Sequence, residues 1–147
     1  MFLDNGVSGY LSECQKLRTI ARQSIENGYC LIVEDDERFI SYVTMMLNVG
    51  KIRSRAVRTA LEAVTLLHTD SVSIISVVLD LHLEAEYSGL SVIQEIESRY
   101  SQIPYTVFTE DRAAIKTIPR QYPRAKVLMK DDDVMLLANA LGVENCA

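Results

Sequence analysis

Short apolar runs alternate with segments of helical periodicity along most of this 147-residue chain. Two of the runs, residues 30–33 and 73–79, carry no charge and are typical of strands that are buried on both faces. A strand followed by a helix occurs five times, which predicts a parallel sheet with helices on both faces and right-handed crossovers. We therefore expect an α/β domain, doubly wound around five parallel strands.

The other elements follow from the same pattern. Further strands are predicted over 52–57, 103–108 and 125–129, and helices over 39–47, 60–67, 92–96, 113–121 and 134–141. Asp36 and the acidic run at 131–133 are expected to begin helices, because carboxylates accept the free N–H groups of a first turn. A loop that contains Gly89 is predicted before the third helix.

An additional helix is predicted over 8–27, before the alternating pattern begins. Its apolar residues fall near one helical face: Leu11, Cys14, Leu17, Ala21 and Ile25. We accordingly divide the chain into an N-terminal helical extension, 1–28, and a domain, 29–147. The near-heptad spacing permits either a homodimer through 8–27 or packing of this helix against the domain.

Composition excludes several classes of function. The formal net charge of −5 leaves no basic excess for a nucleic acid or an anionic membrane surface. No apolar run approaches the ~18 residues that span a bilayer, and no secretory signal is visible. Cys14, Cys30 and Cys146 are odd in number and widely spaced, which argues against disulfides or a zinc site. We expect a cytoplasmic protein.

Polar residues that could bind a ligand or take part in a reaction stand where the predicted strands end. Glu34 and Asp35 follow the first strand, Asp80 the third, Thr109 the fourth and Lys130 the fifth. Ligands of open α/β sheets bind at this carboxyl edge. Clustered carboxylates repel one another unless a cation lies among them, and oxygen ligands with waters suit Mg²⁺. Asp80 could then be a nucleophile that forms an aspartyl phosphate, with Lys130 and Thr109 contacting the phosphoryl oxygens.

Four motifs in this order resemble the response regulator receiver domain, the CheY-like fold. They are LIVEDD at 31–36, VLDL at 78–81, FT at 108–109 and MK at 129–130, and the resemblance covers about residues 29–143. It implies a flavodoxin-like sheet of strand order 2-1-3-4-5. It also implies a place in a two-component phosphorelay.

The resemblance also implies a role for each site residue. Asp80 would be the phosphoacceptor, while Thr109 and Lys130 would contact the phosphoryl group and carry the switch. The phosphoryl donor would be a histidine kinase or a histidine phosphotransfer protein, and the signal would pass through contacts with a downstream protein. Such a domain is not an enzyme with steady turnover, since it catalyses only its own phosphorylation and dephosphorylation.

A magnesium site is part of the same resemblance. Glu34 and Asp35 would be the acidic pair that holds Mg²⁺, together with Asp80 and the backbone carbonyl of His82. His82 and Asp111 also stand at positions that look like those tuning dephosphorylation in the family.

The sequence departs from the family pattern at several positions near this site. Glu84 stands where Pro is usual, and Gly89 comes one residue late. Glu110 replaces a small residue, Asp131 replaces a cis-Pro, and Val127 replaces the aromatic residue of the switch. These changes favour an alternative, a pseudo-receiver that acts as a phosphorylation-independent protein-interaction module.

A phosphohydrolase with an aspartyl nucleophile is a third possibility. Enzymes of the haloacid-dehalogenase type carry a second Asp two residues after the nucleophile, whereas this chain has His82 there. Steady turnover of a phosphate ester would be needed to support this reading. The chain could also be a fragment of a larger regulator.

Overall fold

A five-stranded parallel sheet forms the centre of the protein. The computed structural model describes residues 28–83, 88–131 and 134–143. The strands are β1 (Tyr29–Val33), β2 (Ser54–Val57), β3 (Ile74–Leu79), β4 (Tyr105–Thr109) and β5 (Lys126–Met129). Their order across the sheet is β2-β1-β3-β4-β5, and every neighbouring pair is parallel. The predicted fold class and strand order are confirmed.

Helices cover both faces of this sheet. They are α1 (Glu37–Val49), α2 (Ala60–Asp70), α3 (Ser88–Arg99), α4 (Ala114–Gln121) and α5 (Val134–Leu141), and a 3₁₀ turn (Ser71–Ser73) joins α2 to β3. Buried side chains of α2, α3 and α4 share one hydrophobic core, and those of α1 and α5 share the other. The chain is therefore wound doubly, with three helices on one side and two on the other.

Strand β1 carries no charged residue because helices cover both of its faces. Leu31 and Val33 lie in the core beneath α2, α3 and α4, whereas Cys30 and Ile32 lie in the core beneath α1 and α5. Alternate side chains of a strand point to opposite faces, so a central strand under two helical layers must be apolar throughout. The Cys30 thiol is fully buried, and burial raises its pKa to about 11. It is a small residue of the core.

Two strands begin two residues later than predicted because of local backbone hydrogen bonds. Strand β2 begins at Ser54, two residues late, since the Ile52 amide closes the end of α1 by donating to the Leu47 carbonyl at 2.9 Å. Strand β4 begins at Tyr105 because the Ile103 amide donates to the Tyr100 carbonyl in a turn, also at 2.9 Å. Apolar residues before each strand are thus buried without belonging to the sheet.

Gly89 is the clearest correction to the prediction, since it lies in the first turn of α3 and not in a loop. Its amide donates to the Leu81 carbonyl at 3.1 Å. A Cβ on this residue would lie 2.1 Å from the Asp80 carbonyl oxygen, so only glycine allows the helix to begin this close to the end of β3. The start of α3 is thereby packed directly behind the candidate phosphoacceptor.

Some predictions fall outside the described residues. These are the helix over 8–27, with the division at residue 28 that depends on it, the departure at Glu84, and the helix-capping role of Asp132 and Asp133. In the part of the chain that the structure describes, no helix combines the length and apolar character needed to cross a bilayer.

Candidate functional site

The structure brings the predicted acidic residues together at the carboxyl edge of the sheet. Glu34 and Asp35 follow β1, and Asp80 follows β3, the strand beside it. One carboxylate oxygen from each of the three lies within 4.8 Å of the others. Glu34 and Asp80 are buried, whereas Asp35 is partly exposed. The cluster therefore combines a buried floor with one ligand that solvent can reach.

The ammonium group of Lys130 joins this cluster from the end of β5. Its Nζ lies 2.5 Å from Glu34 Oε1 and 3.1 Å from Asp80 Oδ2. The same nitrogen lies 4.1 Å from the centre of the Phe39 ring, which gives a cation–π contact. The side chain is 4% exposed, so these partners replace the water that a buried ammonium loses.

Burial and neighbouring charges have opposing effects on the pKa values of Glu34 and Lys130. Burial is the largest influence on Glu34 and, despite the opposing hydrogen bond from Lys130, it raises the pKa of this carboxyl to about 7, with a further contribution from the charge of Asp80. Burial alone would lower the pKa of Lys130, but its contacts with Glu34 and Asp80 outweigh burial and keep the pKa above the ordinary value. Lys130 is therefore a fixed positive charge.

The loop between β1 and α1 is organised by its own carboxylates. Glu34 Oε2 accepts the amides of Asp35 at 3.1 Å and Asp36 at 3.4 Å. Asp36 accepts the Arg38 amide at 2.9 Å and caps α1, which confirms its predicted role as a helix-start residue. The contacts with Arg38 hold the pKa of Asp36 at about 2. Glu34 thus shapes the loop that carries Asp35.

The loop after β3 and the loop after β4 meet beside Asp80. Thr109 is fully buried, and its Oγ1 accepts the Asp111 amide at 3.1 Å. The Asp111 carboxylate lies 3.1 Å from His82 Nε2 and also accepts the Ala113 amide. The backbone amide of His82 donates to Asp80 Oδ1 at 3.3 Å. His82 therefore contacts Asp80 through its backbone and Asp111 through its ring.

An open pocket of about 400 Å³ lies above these residues. It is lined by Asp35, Asp36, Asp80, His82, Glu110, Asp111 and Lys130. Carboxylate oxygens dominate the lining, and they are the hard ligands that Mg²⁺ prefers. Partial exposure of Asp35 leaves room for the waters that Mg²⁺ usually keeps. The donor set therefore fits a divalent cation of this type.

The structure shows the exposure and the contacts of three residues that depart from the family pattern. Glu110 is exposed and lines the pocket. Val127 is half-buried and packs against the core beneath α2, α3 and α4. Asp131 follows Lys130 through a trans peptide bond, and its carboxylate lies 3.0 Å from Arg112 Nη2. Only Glu110 of these three adds charge to the pocket itself.

One contributor to the site was missed by the sequence reasoning. Arg58 follows β2, and its Nη1 donates to the Asp35 carbonyl at 3.1 Å, while Nη2 pairs with Glu37 Oε2. Its signal in the sequence is its position: Arg58 directly follows β2, the strand beside β1, just as the predicted site residues follow the other four strands.

Comparison with known proteins identifies the fold. No family model and no curated protein matches the sequence. A response regulator receiver protein from Sinorhizobium medicae WSM419 aligns with a TM-score of 0.71 and 18% identity over 83% of this chain and 98% of that chain. The signal receiver domain of an HD domain-containing protein from Pseudomonas fluorescens Pf-5 aligns with a TM-score of 0.69 and 20% identity, over 79% and 92%. For a sensor protein from Polaromonas sp. JS666 the values are 0.67 and 23%, over 82% and 98%.

These alignments cover about four fifths of this chain and nine tenths or more of each solved structure. The chain therefore has the fold of response regulator receiver domains, which confirms the resemblance inferred from the four motifs.

Proposed function

We propose that the protein is a receiver domain that accepts a phosphoryl group on Asp80 from a phosphohistidine of a histidine kinase or phosphotransfer protein. The observation that supports this most strongly is the position of Lys130, whose ammonium lies 3.1 Å from the Asp80 carboxylate inside an acidic cluster. A buried cation beside a buried carboxylate, at the rim of an open pocket, suits the stabilisation of a transferred phosphoryl group.

The transfer would use residues already in place. An Asp80 carboxylate oxygen attacks phosphorus, a P–O bond forms, and the P–N bond to the donor imidazole breaks, with the imidazole taking up a proton. Lys130 balances the negative charge on a phosphoryl oxygen. The Thr109 hydroxyl, which accepts the Asp111 amide in this structure, would turn to donate its hydrogen to a second phosphoryl oxygen.

A magnesium ion fits the acidic side of the same pocket. Glu34, Asp35, Asp80 and the backbone carbonyl of His82 would hold it, and when bound it would neutralise charge on the carboxylates and the phosphoryl oxygens. Glu34 keeps its loop in shape through the Asp35 and Asp36 amides, so the ligands are arranged before a cation binds.

Phosphorylation would reach the surface through Thr109. When its hydroxyl turns towards a phosphoryl group on Asp80, the Asp111 amide loses the acceptor that it has in this structure. The loop between β4 and α4 would then rearrange, and two arrangements of this loop form a switch that a downstream protein can read. We expect that protein to contact the face formed by α4, β5 and α5.

Intact mass measurement tests this proposal. After incubation with acetyl phosphate and Mg²⁺, the wild type is expected to gain one phosphoryl group, and chelation of Mg²⁺ is expected to prevent the gain. Asp80→Asn is expected to stay unlabelled. Asp131→Asn is the matched control, because Asp131 is an exposed carboxylate in the adjacent loop, paired with Arg112, and its loss should leave labelling intact. Equal labelling of the wild type and Asp80→Asn would contradict the proposal.

The second candidate is the pseudo-receiver, which Glu110 and Val127 favour. Glu110 adds a carboxylate to the lining of a pocket that already holds several, and this opposes the approach of an anionic phosphodonor. Val127 offers no ring to couple Thr109 to the surface. Failure of a folded wild-type protein to label with acetyl phosphate or with a phosphohistidine protein would favour this second function.

A further inference from the structure

Arg58 links the second strand to the acidic loop of the candidate metal site. The backbone of this residue is held by the first turn of α2, since Glu62 Oε1 accepts the Arg58 amide at 3.3 Å. Its guanidinium donates to the Asp35 carbonyl at 3.1 Å and pairs with Glu37 in the first turn of α1. One planar group thus binds both the acidic loop and the helix that follows it.

The two sides of the acidic loop are therefore fixed by different residues. Glu34 accepts the amides of Asp35 and Asp36, whereas Arg58 takes the Asp35 carbonyl. The Glu34 amide also donates to the Val57 carbonyl at 3.0 Å, which aligns the ends of β1 and β2. With both peptide planes around Asp35 held, the direction in which its Cβ leaves the backbone is fixed.

We infer that Arg58 is a positioning residue that orients Asp35 for a divalent cation. The inference rests on the metal site of the proposed function. The guanidinium contacts the backbone carbonyl of Asp35 and the carboxylate of Glu37, which is not among the proposed ligands, so its structural influence on the cation passes through Asp35. Partners of this kind typically change metal affinity by about 10–100-fold.

Charge alone makes the opposite prediction. Arg58 is a cation beside a site for cations, so if its only influence were Coulombic repulsion, its removal would strengthen binding of Mg²⁺. If it positions Asp35, its removal weakens binding. The sign of the change therefore separates the two roles.

The test is a titration of the full chain with MgCl₂, with dissociation constants taken from the amide NMR shifts of residues 34–36. Arg58→Ala is expected to weaken binding about tenfold. Arg58→Lys keeps the charge but lacks the planar fork that reaches the Asp35 carbonyl and Glu37 together, so weaker binding is expected here too. Arg38→Ala is the matched control, since Arg38 is an exposed arginine paired with Asp36 of the same loop. Its loss should not weaken binding.

Thermal unfolding without metal accompanies each titration, and the variants are expected to unfold within a few degrees of the wild type. Unchanged or tighter binding by Arg58→Ala overturns the inference and leaves the metal site standing. Equal weakening in Arg38→Ala also overturns it, because the effect would then follow from loss of any nearby arginine. A wild type that shows no Mg²⁺-dependent shifts at residues 34–36 overturns the metal site itself.

Discussion

The ammonium of Lys130 reaches the carboxylate of Asp80 across an intervening strand. The two residues follow β5 and β3, which are separated in the sheet by β4, and yet Nζ lies 3.1 Å from Oδ2. The long side chain therefore passes the end of β4, where Thr109 is buried. Asp80, Thr109 and Lys130 stand at the ends of three adjacent strands, β3, β4 and β5. A displacement of one strand end would therefore change the contacts made by the other two.

Replacement of Lys130 by methionine tests how much this cation contributes. The variant leaves buried Glu34 and Asp80 without their counter-charge, and its free energy of unfolding in the presence of a chelator is expected to fall by about 3 kcal/mol. Labelling of Asp80 by acetyl phosphate should be lost. Added Mg²⁺ should stabilise the variant more than the wild type, because it replaces the missing positive charge. Urea unfolding with and without Mg²⁺ measures these effects.

Lys126→Met is the control for this variant, since Lys126 is exposed on the same strand and its loss should change neither labelling nor stability by much. If Lys130→Met labels at the wild-type rate, Lys130 has no part in phosphoryl transfer.

His82→Ala is expected to shorten the lifetime of the phosphoryl group. The His82 ring and the Asp111 carboxylate join two loops at the pocket, 3.1 Å apart, and breaking the pair should admit water to the phosphorylated aspartate. Because the pair is exposed, stability should change by only about 0.5 kcal/mol. Decay of the labelled mass after removal of the donor measures the lifetime.

Arg112→Ala breaks an exposed ion pair with Asp131 near the same pocket and serves as the control, with an unchanged lifetime expected. A lifetime in His82→Ala equal to or longer than that of the wild type would show that the pair does not shield the site.

Gly89→Ala should damage the site through packing. The new methyl group would meet the Asp80 carbonyl oxygen at 2.1 Å and the Leu81 Cα at 2.6 Å, so either α3 or the end of β3 must move. We expect a loss of about 3 kcal/mol in stability, together with slower labelling of Asp80. Gly142→Ala is the comparison: its φ of +76° makes alanine strained, at about 1 kcal/mol, but no atom of the described residues lies within 4 Å of the added Cβ. Similar losses in both variants would contradict the close packing of α3.

Much of the fold could be predicted because its signals are local and repeated. Strands β1 and β3 carry no charged residue and are mostly apolar since both faces of the sheet are covered, and the polar residues that follow them mark the functional edge. The boundaries of β2 and β4 could not be predicted in the same way. Ile52 and Ile103 are buried like strand residues, but backbone hydrogen bonds within turns hold them outside the sheet.

The site was predictable as a set of strand ends, but its contacts were not. The distance of Lys130 from Glu34, the pairing of His82 with Asp111 and the reach of Arg58 depend on side-chain conformations that spacing does not encode. Gly89 was misassigned because glycine is typical of loops, whereas here it is required by the close approach of a helix to the Asp80 carbonyl.

Reduction of the labelled protein with borohydride tests the central claim most directly. The reagent reduces an acyl phosphate on aspartate to homoserine, and peptide mass spectrometry then locates the residue. We expect homoserine at position 80 alone, only after incubation with phosphodonor and Mg²⁺. Homoserine at another position, or a phosphoryl group retained on a residue other than Asp80, would contradict the proposal that Asp80 is the phosphoacceptor.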